Sequence, residues 1–426
     1  MSSSIRSAIC TKIGRLSSIV KPISSPPHWL VTHVINHTTK GLHCQQALLI
    51  LGTLSNINPL QTGNTTRNKL SFNYSMKGNP PMFLSKIRLT FAALLLVSTP
   101  VTAYGAESRT QDAQRTSYLA ENQINEAPSA LQGAPLFSFS VLSDTHIVNT
   151  DQVSQLLLSR ALADHHKLRP ESKLLVLNGD LTGGTEGDYR SLVGLLSSQP
   201  HAPVHATMGN HDYYGVWRTP EGGMDTLKMN PAWSSKQAIA LFDRVWGYDK
   251  PYHELIVEGY RFLFLSGEAY RDVNASYKED AFLSAEQLAW LRDRLAVAGT
   301  ADAGKPVFVF LHQPLPQTLD GTDRELGVVQ HQELRALLDE HPNVILFSGH
   351  THWNLETTNQ VKQLKFLAAS SASIREVWNA QNEPETIGVS QSLIVDVYKD
   401  RVVIMRREHT TKRWIEPSIA KGYDVK

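Results

Sequence analysis

The chain has 426 residues, with 41 Lys and Arg, 40 Asp and Glu, and two Cys. Its near-zero formal charge hides an asymmetry: no acidic residue precedes Glu107 but ten basic ones do, which leaves 31 basic against 40 acidic residues in the rest. So acidic a body is a poor match to sequence-independent nucleic-acid binding, which depends on Lys and Arg neutralising phosphates, and no nucleic-acid partner is expected.

In chain order, residues 1–81 are rich in Ser, Thr, Asn, Lys and Pro and show no sustained period. They are expected to be a non-native, disordered upstream extension, with translation starting at Met82 or Met76; a transit peptide is the rival reading. Residues 82–103 read as a signal peptide. Lys86 and Arg88 form a basic flank, residues 89–97 an apolar core, and Val101-Thr102-Ala103 a small-residue exit. The core is shorter than the roughly 20 residues of a spanning helix, so the membrane is expected as a partner only through an uncleaved signal anchor. The protein is expected to be exported, periplasmic or extracellular. Cys10 and Cys44 both precede Met82, so the mature chain uses no disulfide or thiol chemistry.

Residues 104–132 read as a linker, 133–410 as one α/β domain, and 411–426 as a C-terminal tail. Strand-like runs at 137–142, 174–177, 204–208, 252–257, 261–266, 307–311 and 344–348 alternate with helical spacing at 152–167, 189–196, 285–295 and 333–340. Residues 393–397 and 401–405 read as a hairpin. Ser284 to Gln287 has the form of a capping box. The alternation implies helices covering the faces of a sheet.

Polar residues cluster where these strands end. Asp144 and His146 follow the first, Asp180 the second, and Asn210, His211 and Asp212 the third. His312 follows the run at 307–311, and His350 and His352 follow the run at 344–348. Open α/β sheets place ligand-binding residues at such ends. Asp, Asn and His together suit borderline-hard divalent cations such as Mn, Fe or Zn, and the lack of thiolates disfavours a structural zinc site. Alone, Asp144-Thr145-His146 is equally a helix cap with a surface histidine, and Gly179-Asp180 is ordinary turn chemistry. Five such motifs at successive strand ends are not explained that way.

The series Asp144-Thr145-His146, Gly179-Asp180, Gly209-Asn210-His211-Asp212, His312 and Gly349-His350-Thr351-His352 resembles the calcineurin-like metallophosphoesterase superfamily over roughly residues 137–404. The resemblance implies a four-layer α/β/β/α sandwich and two divalent metal ions. One would be held by Asp144, His146, Asp180 and His352, the other by Asp180, Asn210, His312 and His350. His211 would be the catalytic histidine, with Asp212 orienting it. Physically, two cations about 3.5–4 Å apart need a shared carboxylate, and they lower the pKa of a bridging water enough to give a hydroxide nucleophile near neutrality.

The expected activity is hydrolysis of a small-molecule phosphate ester, with a phosphodiester preferred. Thr182-Gly183-Gly184 stands where protein phosphatases of the superfamily carry an arginine, and Asp180-Leu181-Thr182 looks like the cyclic-nucleotide and glycerophosphodiester branches. The alternatives are a 5′-nucleotidase-like phosphomonoesterase, a phospholipid-directed hydrolase, and a non-catalytic metal-binding module. The aromatic segment 213–250 is read either as a cap over the site or as a separate hydrophobic cluster. Trp353 and residues 313–330 are candidates for a pocket wall, and His165, His166, His205 and His331 are expected at the surface or behind the ligands.

Overall fold

Alternation along each strand sets the layering of the domain. The computed structural model describes residues 133–301, 304–323, 327–385 and 388–423. The upstream extension, signal peptide and linker expected before residue 133 lie outside them. Strands β1 (Phe137–Leu142), β2 (Leu174–Asn178) and β3 (Val204–Thr207) are parallel. A second parallel run holds β5 (Tyr260–Phe264), β6 (Val307–Phe310), β7 (Val344–Ser348) and β9 (Leu367–Ser370), flanked by β4 (His253–Val257) and β8 (Val361–Gln363). Antiparallel β10 (Gln391–Val397), β11 (Arg401–Glu408) and β12 (Arg413–Gly422) extend the first sheet. The two six-stranded orders are β12-β11-β10-β1-β2-β3 and β4-β5-β6-β7-β9-β8.

Phe139, Val141 and Val176 of the first sheet share one apolar cluster with Phe262, Phe264, Phe308 and Phe310 of the second. The rings of Phe139 and Phe308 meet edge-on at 4.9 Å. The alternate residues Leu142, Leu175 and Leu177 face α1 (Gln152–Leu168), α2 (Glu186–Ser197) and α3 (Ser235–Trp246). On the other side, Leu263, Val307 and Val309 face α4 (Ala285–Ala301) and α5 (His331–Asp339). Period-two alternation thus gives each sheet two apolar faces, and the result is a four-layer α/β/β/α sandwich. The parallel strands all point their C-terminal ends toward the motif loops.

Three expectations are corrected. Residues 411–426 are not simply a tail, because β12 pairs with β11 from Arg401↔Gly422 to Glu408↔Arg413. Its polar, edge-strand composition hid it. The Ser284–Gln287 box is half formed: Ser284 Oγ accepts from Gln287 N at 3.1 Å, but the Gln287 side chain bonds Ser266 and Glu268 instead. His165 is not at the surface but 5% exposed. It lies in a chain of contacts: Ser140 Oγ to His165 Nδ1 (2.8 Å), His165 Nε2 to Ser392 Oγ (2.7 Å), and Ser392 Oγ to His409 Nε2 (2.7 Å). His409 Nδ1 lies 3.0 Å from Asp164 Oδ2, and Arg407 donates to both oxygens of that carboxylate. This chain pins α1 to the first sheet.

Among the described residues, no helix is long and apolar enough to cross a membrane.

Candidate metal centre

Each ligand-type side chain leaves a loop that follows a parallel strand, and at five of these residues the backbone is bent out of its preferred range. Asp144, His146, Asp180, His350 and His352 have φ of 53°, 43°, 49°, 69° and 58°. Left-handed conformations of non-glycine residues cost about 1–3 kcal/mol each and persist only where the surroundings enforce them, typically at functional sites. Gly209 shows why these loops must be close: a Cβ there would overlap the carboxylate of Asp180 and the ring of His312.

The side chains gather into two overlapping groups. Donor atoms of Asp144, His146, Asp180 and His352 lie within 4.8 Å of one another, and so do those of Asp180, His312 and His350. Asp180 belongs to both. Its Oδ2 is 3.2 Å from His312 Nε2 and 3.8 Å from His146 Nε2, while its Oδ1 accepts from His211 N at 2.8 Å.

Second contacts aim the donor atoms inward. Asp144 Oδ2 accepts from Ser143 Oγ (2.6 Å) and His350 N (3.2 Å), and its Oδ1 lies 2.9 Å from His352 Nε2. His312 gives its Nδ1 hydrogen to Asn178 O at 2.8 Å, which aims Nε2 at Asp180 Oδ2. The side-chain nitrogen of Asn210 donates to Glu279 Oε2 at 2.9 Å, and its Oδ1 is buried without a partner. Buried polar atoms in native proteins nearly always have partners. A buried ring of carboxylate, amide and imidazole donors gathered this closely suits divalent cations, so the residues fit two metal ions.

Charge in the protein alone is balanced by protons. Burial would lower the His312 imidazole, but Asp180 and Asp144 outweigh it and raise it to about 9. Burial would raise Asp180 and Asp144, yet the histidines hold both carboxylates well below their usual range. The cluster therefore stores negative charge that a proton neutralises and that divalent cations can neutralise instead.

His211 and Asp212 fall beside these groups in different roles. The His211 ring stacks on Tyr214 at 4.0 Å, meets His146 edge-on at 4.3 Å, and sets Nε2 3.8 Å from Asp180 Oδ2. A third of its side chain reaches solvent. Burial dominates its titration and lowers it to about 3, so it is neutral at pH 7 in the free protein. Asp212 does not orient that ring, which corrects the expectation. Its carboxylate accepts from Leu181 N, Thr182 N, Thr182 Oγ1, Gly209 N and Tyr189 Oη, tying the Asp180 and Asn210 loops together. Burial and then Asp180 raise it to about 6.

Sequence reasoning missed Glu279, Ser143 and Asn178. Asn178 stands one residue ahead of the Gly179-Asp180 motif, but nothing local marks Glu279. The aromatic segment divides: Tyr213, Trp217, Trp233 and Trp246 pack with α1–α3 as part of the core, and Tyr214 alone stacks on the site histidine. The wall is supplied instead by Trp353 and by Pro314, Gly321 and Thr322, from the loop expected to do so, together with Trp378.

Comparison with known proteins agrees with this geometry. A family model described as calcineurin-like phosphoesterase matches residues 137–354. The chain belongs to that family, and it is a metal-dependent phosphoesterase. A dimetal phosphatase from Danio rerio is similar in fold, at 15% identity and a TM-score of 0.50, covering 68% of this chain and 100% of its own. A purple acid phosphatase from yellow lupin (Lupinus luteus) aligns at 11% identity and a TM-score of 0.43, covering 68% of this chain and 54% of its own. Curated protein sequences gave no match.

Proposed function

We propose that the protein is an exported, two-metal phosphodiesterase that hydrolyses a small-molecule phosphate ester. The observation that carries this reading is the sharing of Asp180 between two groups of carboxylate and imidazole donors, each drawn together within 4.8 Å. Asp144, His146, Asp180 and His352 would hold one cation, and Asp180, Asn210, His312 and His350 the other. When bound, the pair supplies Lewis acidity that polarises phosphoryl oxygens and yields hydroxide from water near neutral pH.

The chain's own contribution beyond ligation is His211. Its ring is fixed by Tyr214 at the open side of the cluster, where it can donate a hydrogen bond or a proton to the departing ester oxygen. A bound phosphate's negative charge favours the protonated imidazole. The diester preference rests on the loop after Asp180. Arg218 does reach Gly183, but its guanidinium faces the Gly183 carbonyl at 3.4 Å and Asp188 at 3.8 Å, so its charge is already answered. A monoester dianion would gain less from it than from an uncommitted arginine.

The test is hydrolysis of bis-p-nitrophenyl phosphate and p-nitrophenyl phosphate at neutral pH by Mn(II)-loaded protein. The diester should be cleaved at least as fast. A strong monoester preference would move the reading to a phosphomonoesterase of the nucleotidase kind, and no hydrolysis of either would remove the esterase reading.

A further inference from the structure

Beside the metal centre lies a cleft of about 270 Å³, bounded by His350, His352, Trp353, Trp378, Gly321 and Asn382 among others. Small-molecule sites usually enclose about 300–1,000 Å³, so this one has room for a single ring system rather than a polymer. We infer that it is a stacking slot for a flat, uncharged ring, of nucleobase or aryl type, carried on the ester arm that is not cleaved. This rests on the phosphodiesterase reading above and adds to it the class of the second ester group.

The two indoles are tied to the ligand loop itself. Trp353 directly follows His352. Trp378 N donates to His352 O at 2.8 Å, and Trp378 O accepts from Asn354 N at 2.8 Å, so Trp378 runs alongside Trp353 as a short parallel bridge. A phosphorus atom seated over His350 and His352 therefore has aromatic surface within one ester arm. The opposite wall is shaped to admit Trp353: Gly321 has φ +86°, and a Cβ there would come within 2.6 Å of Trp353 Nε1. Only glycine lets that loop lie against the indole.

Charge narrows the occupant. None of the described residues lining the cleft is Lys, Arg, Asp or Glu. A second phosphate or a carboxylate would find no lysine or arginine among the described residues that line it. A quaternary ammonium group could use the aromatic faces, but none of the described lining residues is a carboxylate that would pair with it. A neutral ring loses nothing on either count. Thr322 Oγ1 is committed, accepting from Thr318 N and Leu319 N and donating to Leu319 O. Asn382, exposed at the rim, and Thr351 can reach a polar ring edge.

The experiment uses Mn(II)-loaded protein and two diesters with the same leaving group, thymidine 5′-(p-nitrophenyl phosphate) and methyl p-nitrophenyl phosphate. Wild-type kcat/KM should be higher for the thymidine ester. Trp378→Leu should lower the thymidine-to-methyl ratio by roughly tenfold or more, the scale of one lost base–aromatic stack, and Trp378→Phe should restore much of it. Using the ratio separates slot from scaffold, because a folding defect lowers both rates together. An unchanged ratio in Trp378→Leu, or a choline p-nitrophenyl phosphate preferred over the thymidine ester, would overturn the slot. Failure of wild type to cleave either diester would instead overturn the phosphodiesterase reading beneath it.

Discussion

Glu279 Oε2 accepts the side-chain amide of Asn210 at 2.9 Å, and that contact decides which end of the amide faces the metal centre. A carboxylate can only accept, so the amide NH₂ must point to Glu279 and Oδ1 must turn inward. Glu279 is itself held by Tyr270 Oη (2.9 Å), Tyr214 Oη (3.2 Å) and Arg271 (2.6 Å). Glu279→Ala should raise the Mn(II) concentration giving half-maximal activity by about 10- to 100-fold, the usual penalty for losing a partner behind a ligand. Activity should recover at saturating metal. A titration with the wild-type midpoint would show that Asn210 needs no such support.

Asp180 stands in both donor groups, so its loss should differ in kind from loss of any other ligand. Asp180→Ala should retain neither ion after desalting and be inactive. His352→Ala and His146→Ala should each retain about one, because the group of Asp180, His312 and His350 stays whole. Elemental analysis of the desalted variants reads this directly. Two ions per chain in Asp180→Ala would remove the shared-ligand assignment.

What was legible in the sequence follows a physical division. Asp144, His146, Asp180, Asn210, His312, His350 and His352 could be found because residue type and strand-end position both mark them, and the structure brings their loops together. Apolar runs of strand length likewise announced most strands. Glu279 was illegible because its partner lies 69 positions away and its own neighbours form an ordinary loop. The role of Asp212 was misread because adjacency to His211 in sequence does not mean contact: in the 3₁₀ turn His211–Trp217 the two side chains point to different loops. Trp378 joined the cleft only through the pairing of its strand with Trp353. The polar strand β12 and the buried His165 escaped for the same reason, since tertiary partners and not composition place them.

His165 gives the domain a pH dependence separate from the metals. Burial holds its imidazole well below the ordinary histidine range, and His409 and Arg407 push the same way against Asp164. In the unfolded chain it takes up a proton near pH 6.5. Stability is therefore full above that pH and declines as pH falls toward the lower folded value, by up to about 1.4 kcal/mol per pH unit. His165→Gln removes this proton from the unfolded state while keeping groups that can hydrogen-bond. Urea unfolding of both proteins between about pH 7 and pH 4.5 should show a shallower decline in the variant. Parallel profiles would mean that His165 titrates alike in both states.

The sharpest separation of roles lies between His211 and its neighbour Asp212. If His211 delivers a proton to the departing oxygen, its value depends on how much that oxygen needs one. An alkoxide leaving group should lose about 10²–10⁴-fold in kcat on His211→Ala, whereas a nitrophenolate, stable as an anion, should lose much less. Metal content should stay at the wild-type level, since no donor group includes the His211 ring. Asp212→Asn should behave differently. The Asp212 carboxylate accepts five hydrogen bonds from Leu181, Thr182, Gly209 and Tyr189, and an amide nitrogen in place of one oxygen would face donors with a donor. The expected result is a loss of at least about 2 kcal/mol in stability, with the same fractional loss of rate for good and poor leaving groups. Equal losses across leaving groups in His211→Ala would assign that ring to charge stabilisation on the phosphoryl oxygens. A leaving-group-dependent loss in Asp212→Asn, at wild-type stability, would return Asp212 to the orienting role that its contacts argue against.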